Sequence, residues 1–418
     1  MRLCMNDFYV PYLLKGSRYG QEEMDVLQEI LFNNQTLSCG DQRDLFESEF
    51  AKSVGAKYAF SLTSCTTALE FATYLIGLEK SDEVIATPFT YQASVQHLLT
   101  MPVNVKFCDI DPNSLGTDIS SVERLITEKT KCIYITHYGG YMNEMKPLME
   151  LARKWGIYVV EDCAHALGGK YYESFAGTTA DISCFSFHSS KNISTLGEGG
   201  MITFKDDKWA KIVCNIRGNE PDCIFEQKEI QFGKYKKENM QVFTHEKNAF
   251  IEDCKTIFHC GTNSTLNEAA CAVGRCQLKK LDNFNSKRTE IAEYFNREIV
   301  NMPEFRLQKV PDYIGHTYHL YSFFVNQNSG INRNDFVSYL YDQEIEIVLR
   351  YFPLHLLPEW RHRGTKYGQC PTAERIWFEE LVNLPCYPGI TEDQLDYMID
   401  KIKNGVLKCQ EKIKVYYS

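Results

Sequence analysis

Between residues 57 and 204, short β-rich apolar runs alternate with segments of helical periodicity. Strands are expected at 57–61, 83–87, 105–109, 131–136, 157–161, 182–187 and 201–204. Helices are expected between them at 66–77, 92–99, 119–126 and 145–155. The run from Ile157 to Val160 is almost continuously apolar, as a strand buried on both faces should be. Seven strands in a βαβ rhythm predict an α/β fold, with a mostly parallel seven-stranded sheet between helices. In such sheets ligands bind beyond the carboxyl ends of the strands. The residues just after each strand are therefore the ones to read for chemistry.

The rhythm breaks at 217–258, a polar, weakly periodic stretch of mixed charge that reads as a surface insertion or a flap. Helical periodicity returns at 266–281 and 286–300. Beyond these, a strand at 319–325 and helices at 333–343 and 391–404 suggest a smaller C-terminal α/β domain. The expected division is a large domain over 1–283 and a small one over 284–418.

Composition narrows the classes. The 418 residues carry 45 basic and 55 acidic side chains, a net charge of −10, which disfavours non-specific nucleic-acid binding. The 16 cysteines are scattered, with no C-x-x-C pair, so neither a zinc site nor a redox dithiol is indicated. No apolar stretch is long enough to span a bilayer, and the first residues lack the apolar run of a secretory signal. The expectation is a cytoplasmic protein with free thiols, no metal and no membrane partner.

The strand-end residues then acquire meaning together. Ser64, Cys65 and Thr66 follow the first strand and open a helix, where free backbone N–H groups can hold a phosphate. Tyr91 follows the second strand and could stack on a flat ring. Asp162 closes the fifth; a carboxylate there is costly unless solvated or paired, and a protonated pyridine nitrogen would be such a partner. His165 lies three residues on, against the edge of such a ring. Ser186 lies near the end of the next strand, and Lys191 follows that strand and precedes Gly197-Glu-Gly-Gly200. Read singly, Ser64 is a helix cap, Tyr91 a core residue and Lys191 a surface lysine. In this order they are the parts of a pyridoxal phosphate (PLP) pocket, with Lys191 placed to hold the cofactor as a Schiff base.

Over almost its whole length the chain resembles the sugar aminotransferases of the DegT/DnrJ/StrS group, in the fold-type-I PLP superfamily. The resemblance is carried by Ser64 to Leu69, by Glu161-Asp-Cys-Ala-His165, by Phe185 to Asn192 and by the glycine-rich turn. It continues through Gly261 to Glu268, His319-Leu-Tyr, Phe352-Pro-Leu-His355 and Leu384-Pro-Cys-Tyr-Pro-Gly. It implies that Lys191 forms the Schiff base, Asp162 pairs with the pyridine nitrogen and Tyr91 stacks on the ring. It further implies that Ser64, Cys65, Thr66 and Ser186 hold the phosphate, while His165 flanks the ring. Asn263 would reach the phosphate from a neighbouring subunit, making a homodimer the functional unit. The implied reaction moves an amino group from glutamate or glutamine to a keto-sugar, a nucleotide-linked one in the leading reading. An aminocyclitol or other unactivated sugar stays open as acceptor, and so does a non-catalytic regulatory or scaffold role. Lys191 argues against the dehydratase branch, which carries histidine there. One departure matters: Thr265 stands where many relatives carry an arginine.

Overall fold

The computed structural model describes residues 8–12, 16–33, 36–235 and 247–417. The chain forms two compact units, Met1–Lys205 with Leu266–Ser418, and Asp206–Thr265.

In chain order the first unit opens with helices α1 (Gln21–Phe32) and α2 (Asp41–Val54). Strand β1 (Tyr58–Leu62) runs into α3 (Cys65–Ile76), and β2 (Glu83–Ala86) and β3 (Asn104–Phe107) lead to α4 (Ile119–Leu125). Then come β4 (Thr130–Thr136), α5 (Met145–Trp155) and β5 (Tyr158–Asp162). A short hairpin, β6 (Lys170–Tyr171) and β7 (Ser174–Phe175), precedes β8 (Ile182–Ser186) and β9 (Gly200–Phe204). Seven of these strands make one sheet in the order β1-β9-β8-β5-β4-β2-β3. Every pairing from β8 to β3 is parallel, and β9 alone runs against both of its neighbours.

Strand alternation places helices on both faces. Ile133 and Ile135 of β4 join Leu148 and Ala152 of α5 in one apolar cluster, with Phe46 and Phe50 of α2. The intervening Tyr134 points the other way, where its hydroxyl meets Thr73 of α3. α3 packs on β5, β8 and β9. Each large side chain taken fully from water contributes about 1.5–3 kcal/mol.

Two expected elements differ. Residues 92–99 are not one α-helix but two tight 3₁₀ segments, Gln92–Ser94 and Gln96–Thr100, separated at Val95. The two helices expected at 266–281 and 286–300 are one, Glu268–Ile299. The residues between them, Asp282 to Asn285, include neither glycine nor proline, so nothing ends the helix there. After it, the strands Phe305–Leu307, Tyr321–Val325 and Leu381–Leu384 form a separate antiparallel sheet. This sheet has its own apolar cluster of Phe323, Phe336, Leu340, Val382 and Met398. The C-terminal helix, Glu392–Tyr417, runs longer than its periodicity suggested.

The second unit contains α6 (Asp207–Ile216) and a hairpin of β10 (Asp222–Gln227) with β11 (Glu252–His259). The expected insertion at 217–258 therefore holds paired strands, and its residues 236–246 lie outside the described ones.

One register positions the site. Gly200 begins β9 between Leu62, the last residue of β1, and Ser186, the last of β8. The loops after β1 and β8 therefore leave the sheet on either side of this glycine. A Cβ at Gly200 would lie 2.3 Å from the Ser64 carbonyl carbon and 2.5 Å from the Cys65 nitrogen. We expect Gly200→Ala to push the Ser64–Thr66 turn outward and cost about 1–3 kcal/mol in denaturant unfolding. It should also weaken PLP binding. An unchanged unfolding midpoint would show that the turn tolerates the shift.

Candidate active site

A cavity of about 400 Å3 opens at the carboxyl edge of the large sheet. Ser64, Cys65, Thr66, Tyr91, Asp162, His165, Ser186 and Lys191 all line it. Asn263 lies in the second unit, where its backbone bridges that of Gly218.

Asp162 ends β5 beside Thr136 of β4 and Cys184 of β8. Its Oδ1 accepts from the Ala164 N–H at 2.9 Å, and its Oδ2 accepts from the Ser94 hydroxyl at 2.6 Å. Behind Ser94 lies a chain of hydroxyls: Thr136 Oγ1 to Thr90 Oγ1 at 2.9 Å, and Thr90 Oγ1 to Ser94 Oγ at 2.8 Å. Each hydroxyl has one proton, and Ser94 gives its proton to Asp162, so Thr90 must donate to Ser94. The whole row points its dipoles at the carboxylate, an arrangement that holds the negative charge in place.

His165 is neutral. Burial first, then the positive charges of Lys191 and Arg350, push its pKa well below the usual value. Its Nδ1 accepts from the Gly139 N–H at 3.2 Å, so the proton sits on Nε2, which donates to the Tyr351 hydroxyl at 3.3 Å. The ring stacks on His319, centroids 4.2 Å apart. Tyr91 stands at the mouth, 54% exposed, with its ring 5.8 Å from that of Tyr351.

Lys191 sits in the turn after β8. Its N–H donates to the His188 carbonyl at 2.8 Å. The N-terminal segment braces this turn: the Gly16 N–H donates to the Ser189 carbonyl at 2.8 Å. Any side chain at 16 would meet the Lys191 carbonyl oxygen at 2.3 Å. Next to the lysine, Asn192 donates to Asn285 of the long helix at 2.8 Å and accepts from His319 at 3.1 Å. Desolvation pulls the Lys191 amine down to about 8, against the opposing charge of Asp162. A lysine in that range is partly unprotonated near neutral pH, so it can attack a carbonyl or take a proton.

The residues fit PLP. Ser64 caps α3, its hydroxyl accepting from the Thr67 N–H at 3.1 Å. The first amides of that helix have no acceptor within it and face the cavity edge, where a phosphate dianion is favoured. Cys65 stays a neutral thiol, since burial raises its pKa well above the usual value. Asp162 lies at the strand end, the aromatics Tyr91 and His165 stand on the walls, and Lys191 provides the amine.

Sheet order, phosphate turn, strand-end aspartate and low-pKa lysine together define a fold-type-I PLP enzyme. The chain belongs to the DegT/DnrJ/EryC1/StrS aminotransferase family, whose model matches residues 17–403. Its cofactor is pyridoxal 5'-phosphate. It is 30% identical to the spore coat polysaccharide biosynthesis protein SpsC of Bacillus subtilis, over 95% of this chain and 97% of that protein. It is 29% identical to the GDP-perosamine synthase of Escherichia coli O157:H7, over 94% and 98%. The solved structure of DesV from S. venezuelae superposes with a TM-score of 0.78 at 25% identity, covering 92% of this chain and 94% of DesV.

Sequence reasoning missed Ser94, Arg350 and Tyr351. Ser94 falls in the segment read as an ordinary helix, whose tightening turns its hydroxyl to Asp162. Arg350 and Tyr351 directly precede the recognised Phe352-Pro-Leu-His355 run, which was the available signal. Among the described residues, no helix is long and apolar enough to cross a membrane, and no disulfide joins the fifteen cysteines. His137, Glu161 and Cys163 place their ligand atoms within 4.8 Å of one another, but Glu161 already accepts from four protein donors there.

The lowered lysine pKa has a measurable consequence in the cofactor-free protein. The folded value, about 8, lies below the ordinary 10.5, so folding disfavours the charged form. Below pH 8 this penalty is complete; it fades between about 8 and 10.5, where only the unfolded chain binds the proton. We expect cofactor-free K191M to be more stable than wild type at pH 7, with the advantage gone above pH 10.5. Denaturant midpoints across that range test it, and a pH-independent difference would refute the burial argument.

Proposed function

We propose that this chain is a PLP-dependent sugar aminotransferase, moving an amino group from glutamate or glutamine to a keto-sugar in amino-sugar biosynthesis. The observation that carries the reading is one cavity lined by Lys191, Asp162 and the Ser64–Thr66 turn. The family membership and the name of the perosamine synthase favour a nucleotide-linked acceptor.

Bound here, the cofactor's pyridinium ring draws electron density from the carbon carrying the transferred amine. Asp162, aligned by Ser94 and Ala164, would pair with the pyridine nitrogen. Ser64, Cys65, Thr66 and Ser186 would hold the phosphate, and Tyr91 and His165 would lie against the ring. His165 stays uncharged, so it would set no second positive charge beside the pyridinium. Lys191 would hold the cofactor through its amine, and that amine, once displaced by the donor, would serve as the base that takes the proton from the donor Cα and as the acid that returns it. The keto-sugar half runs through the same residues in reverse.

We further read the functional unit as a homodimer in the cytoplasm, with Asn263 of the partner subunit completing the phosphate contacts. Residues 284–418 are read as the small domain; the separate cluster around Phe323 supports this.

The purified protein should be yellow. Glutamate or glutamine should bleach it, and 2-oxoglutarate should restore the colour after glutamate. K191A should lower the rate of proton transfer at Cα by at least about 10³-fold, given what one acid–base group contributes and the lost anchoring. A colourless protein that cannot be reconstituted with PLP sinks the reading. A protein that stays yellow with every donor points to a non-catalytic role. Comparing a nucleotide-linked keto-sugar with its free sugar and with a keto-cyclitol, by amine formation, identifies the acceptor class.

A further inference from the structure

The cavity contains a cation that nothing in the described chain neutralises. Arg350 lines the cavity, yet no carboxylate among the described residues lies within ion-pair distance of it. The two acids in the cavity wall are otherwise engaged. Asp162 is held by Ser94 and Ala164, and Glu198, 71% exposed, faces His188 at 3.8 Å. The guanidinium of Arg350 makes a single long contact, Nη1 to the Tyr351 hydroxyl at 3.4 Å, and its Nε is buried without a partner. Other buried arginines use their donors within the protein. Arg288 donates to the carbonyls of Gly16, Tyr318 and Cys386, and Arg333 to those of Trp377, Phe378 and Leu381.

Arg350 is also held rigidly. Its backbone N–H donates to Asn383 at 2.9 Å, and its carbonyl accepts from Tyr138. The guanidinium lies over the rings of Tyr12 and Tyr351, at 5.0 and 5.6 Å. Tyr351 is kept protonated, since burial raises its phenol against the pull of Arg350. Its oxygen already receives His165 and Arg350, so its own O–H is left to donate outward. A planar cation and a hydroxyl donor, both held in place and both with spare donors, form a site for a planar anion.

Distance from the chemistry selects the anion. Arg350 and Lys191 line the same cavity. An amino-acid donor carries its α-carboxylate on the reacting carbon itself. A nucleotide-linked sugar carries its phosphates away from its ketone, and the cofactor's phosphate has its own turn at Ser64–Thr66. We propose that Arg350 binds the α-carboxylate of the amino donor, with Tyr351 assisting, and so fixes the donor Cα beside Lys191. This rests on the aminotransferase reading. It also supplies the positive charge that Thr265 does not.

The test compares glutamate with its α-amide, which lacks that carboxylate, in wild type, R350Q and R350K. Wild type should favour glutamate in kcat/KM of the donor half-reaction by at least about 10- to 100-fold. R350Q should lose most of this preference, and R350K should keep part of it, as a point charge without the planar fork. PLP affinity and the KM for the keto-sugar should not change. Calorimetry with glutarate, an unreactive dicarboxylate, reads the guanidinium without turnover; R350Q and R350K should weaken it about 10-fold or more. Should R350Q fail to fold, R350K carries both measurements. Full discrimination in a folded variant overturns the inference, as does a defect confined to the keto-sugar, or a wild type that does not bind glutarate. Glutarate binding lost in R350Q, in a protein that never turns over a donor, keeps the anion site and removes the aminotransferase reading.

Discussion

The arrangement depends on two adjacent carboxylates at the end of β5. Strand alternation sends Glu161 and Asp162 to opposite faces of the sheet. Glu161 turns inward, and both of its oxygens are saturated. It accepts from His137 at 2.8 Å, the Gly177 N–H at 3.0 Å, Thr179 at 2.6 Å and Ser183 at 2.5 Å. Burial alone would push its pKa up, but the His137 bond and the hydroxyls more than offset this and hold it below the usual range. Asp162 turns to the cavity with two donors and a free outer side. The first carboxylate ties β4, β5, β8 and the hairpin loop together, and this rigidity lets the second hold a charge where a ligand arrives. The same two-residue step thus separates the structural acid from the functional one.

The strand ends were the most legible part of the chain. Hydrophobic runs place all seven strands of the large sheet within a residue or two, because a parallel sheet covered on both faces leaves little choice of residue. Ser64, Asp162, Ser186 and Lys191 could be found because each follows such a run. The failures have local causes. Gln92 to Thr100 has helical periodicity, yet its turns tighten so that Ser94 reaches Asp162, and no pattern of hydrophobicity encodes that contact. The long helix looked like two, since Asp282 and Asn283 are polar while Phe284 and Asn285 face inward to pack and to bind Asn192. Arg350 lies beside a recognisable run, Phe352-Pro-Leu-His355, but only assembly brings residue 350 to the strand ends of the first half.

Lysine and aspartate also differ in how the fold treats them. Asp162 is stabilised as an anion by dipoles aimed at it along a row of hydroxyls. Lys191 is left short of such support, and burial drives its amine toward the neutral form. Fixed donors aim at one group while burial holds the other near its titration point, which suits a site that must keep one proton fixed and move another.

The brace on the lysine turn has a consequence for how the protein is made. Gly16 holds that turn, and Arg288 holds Gly16. Just upstream, Val10 bridges Ile345, and the Tyr12 N–H binds Glu346, a partner 334 positions later in the chain. The segment that steadies the reactive amine leaves the ribosome well ahead of its own anchors, Glu346 lying 334 positions after Tyr12. The lysine turn therefore reaches its final form only after residue 346 has been synthesised. A nascent chain halted before residue 345 would carry every strand-end residue of the pocket and still lack the support that sets the amine in place.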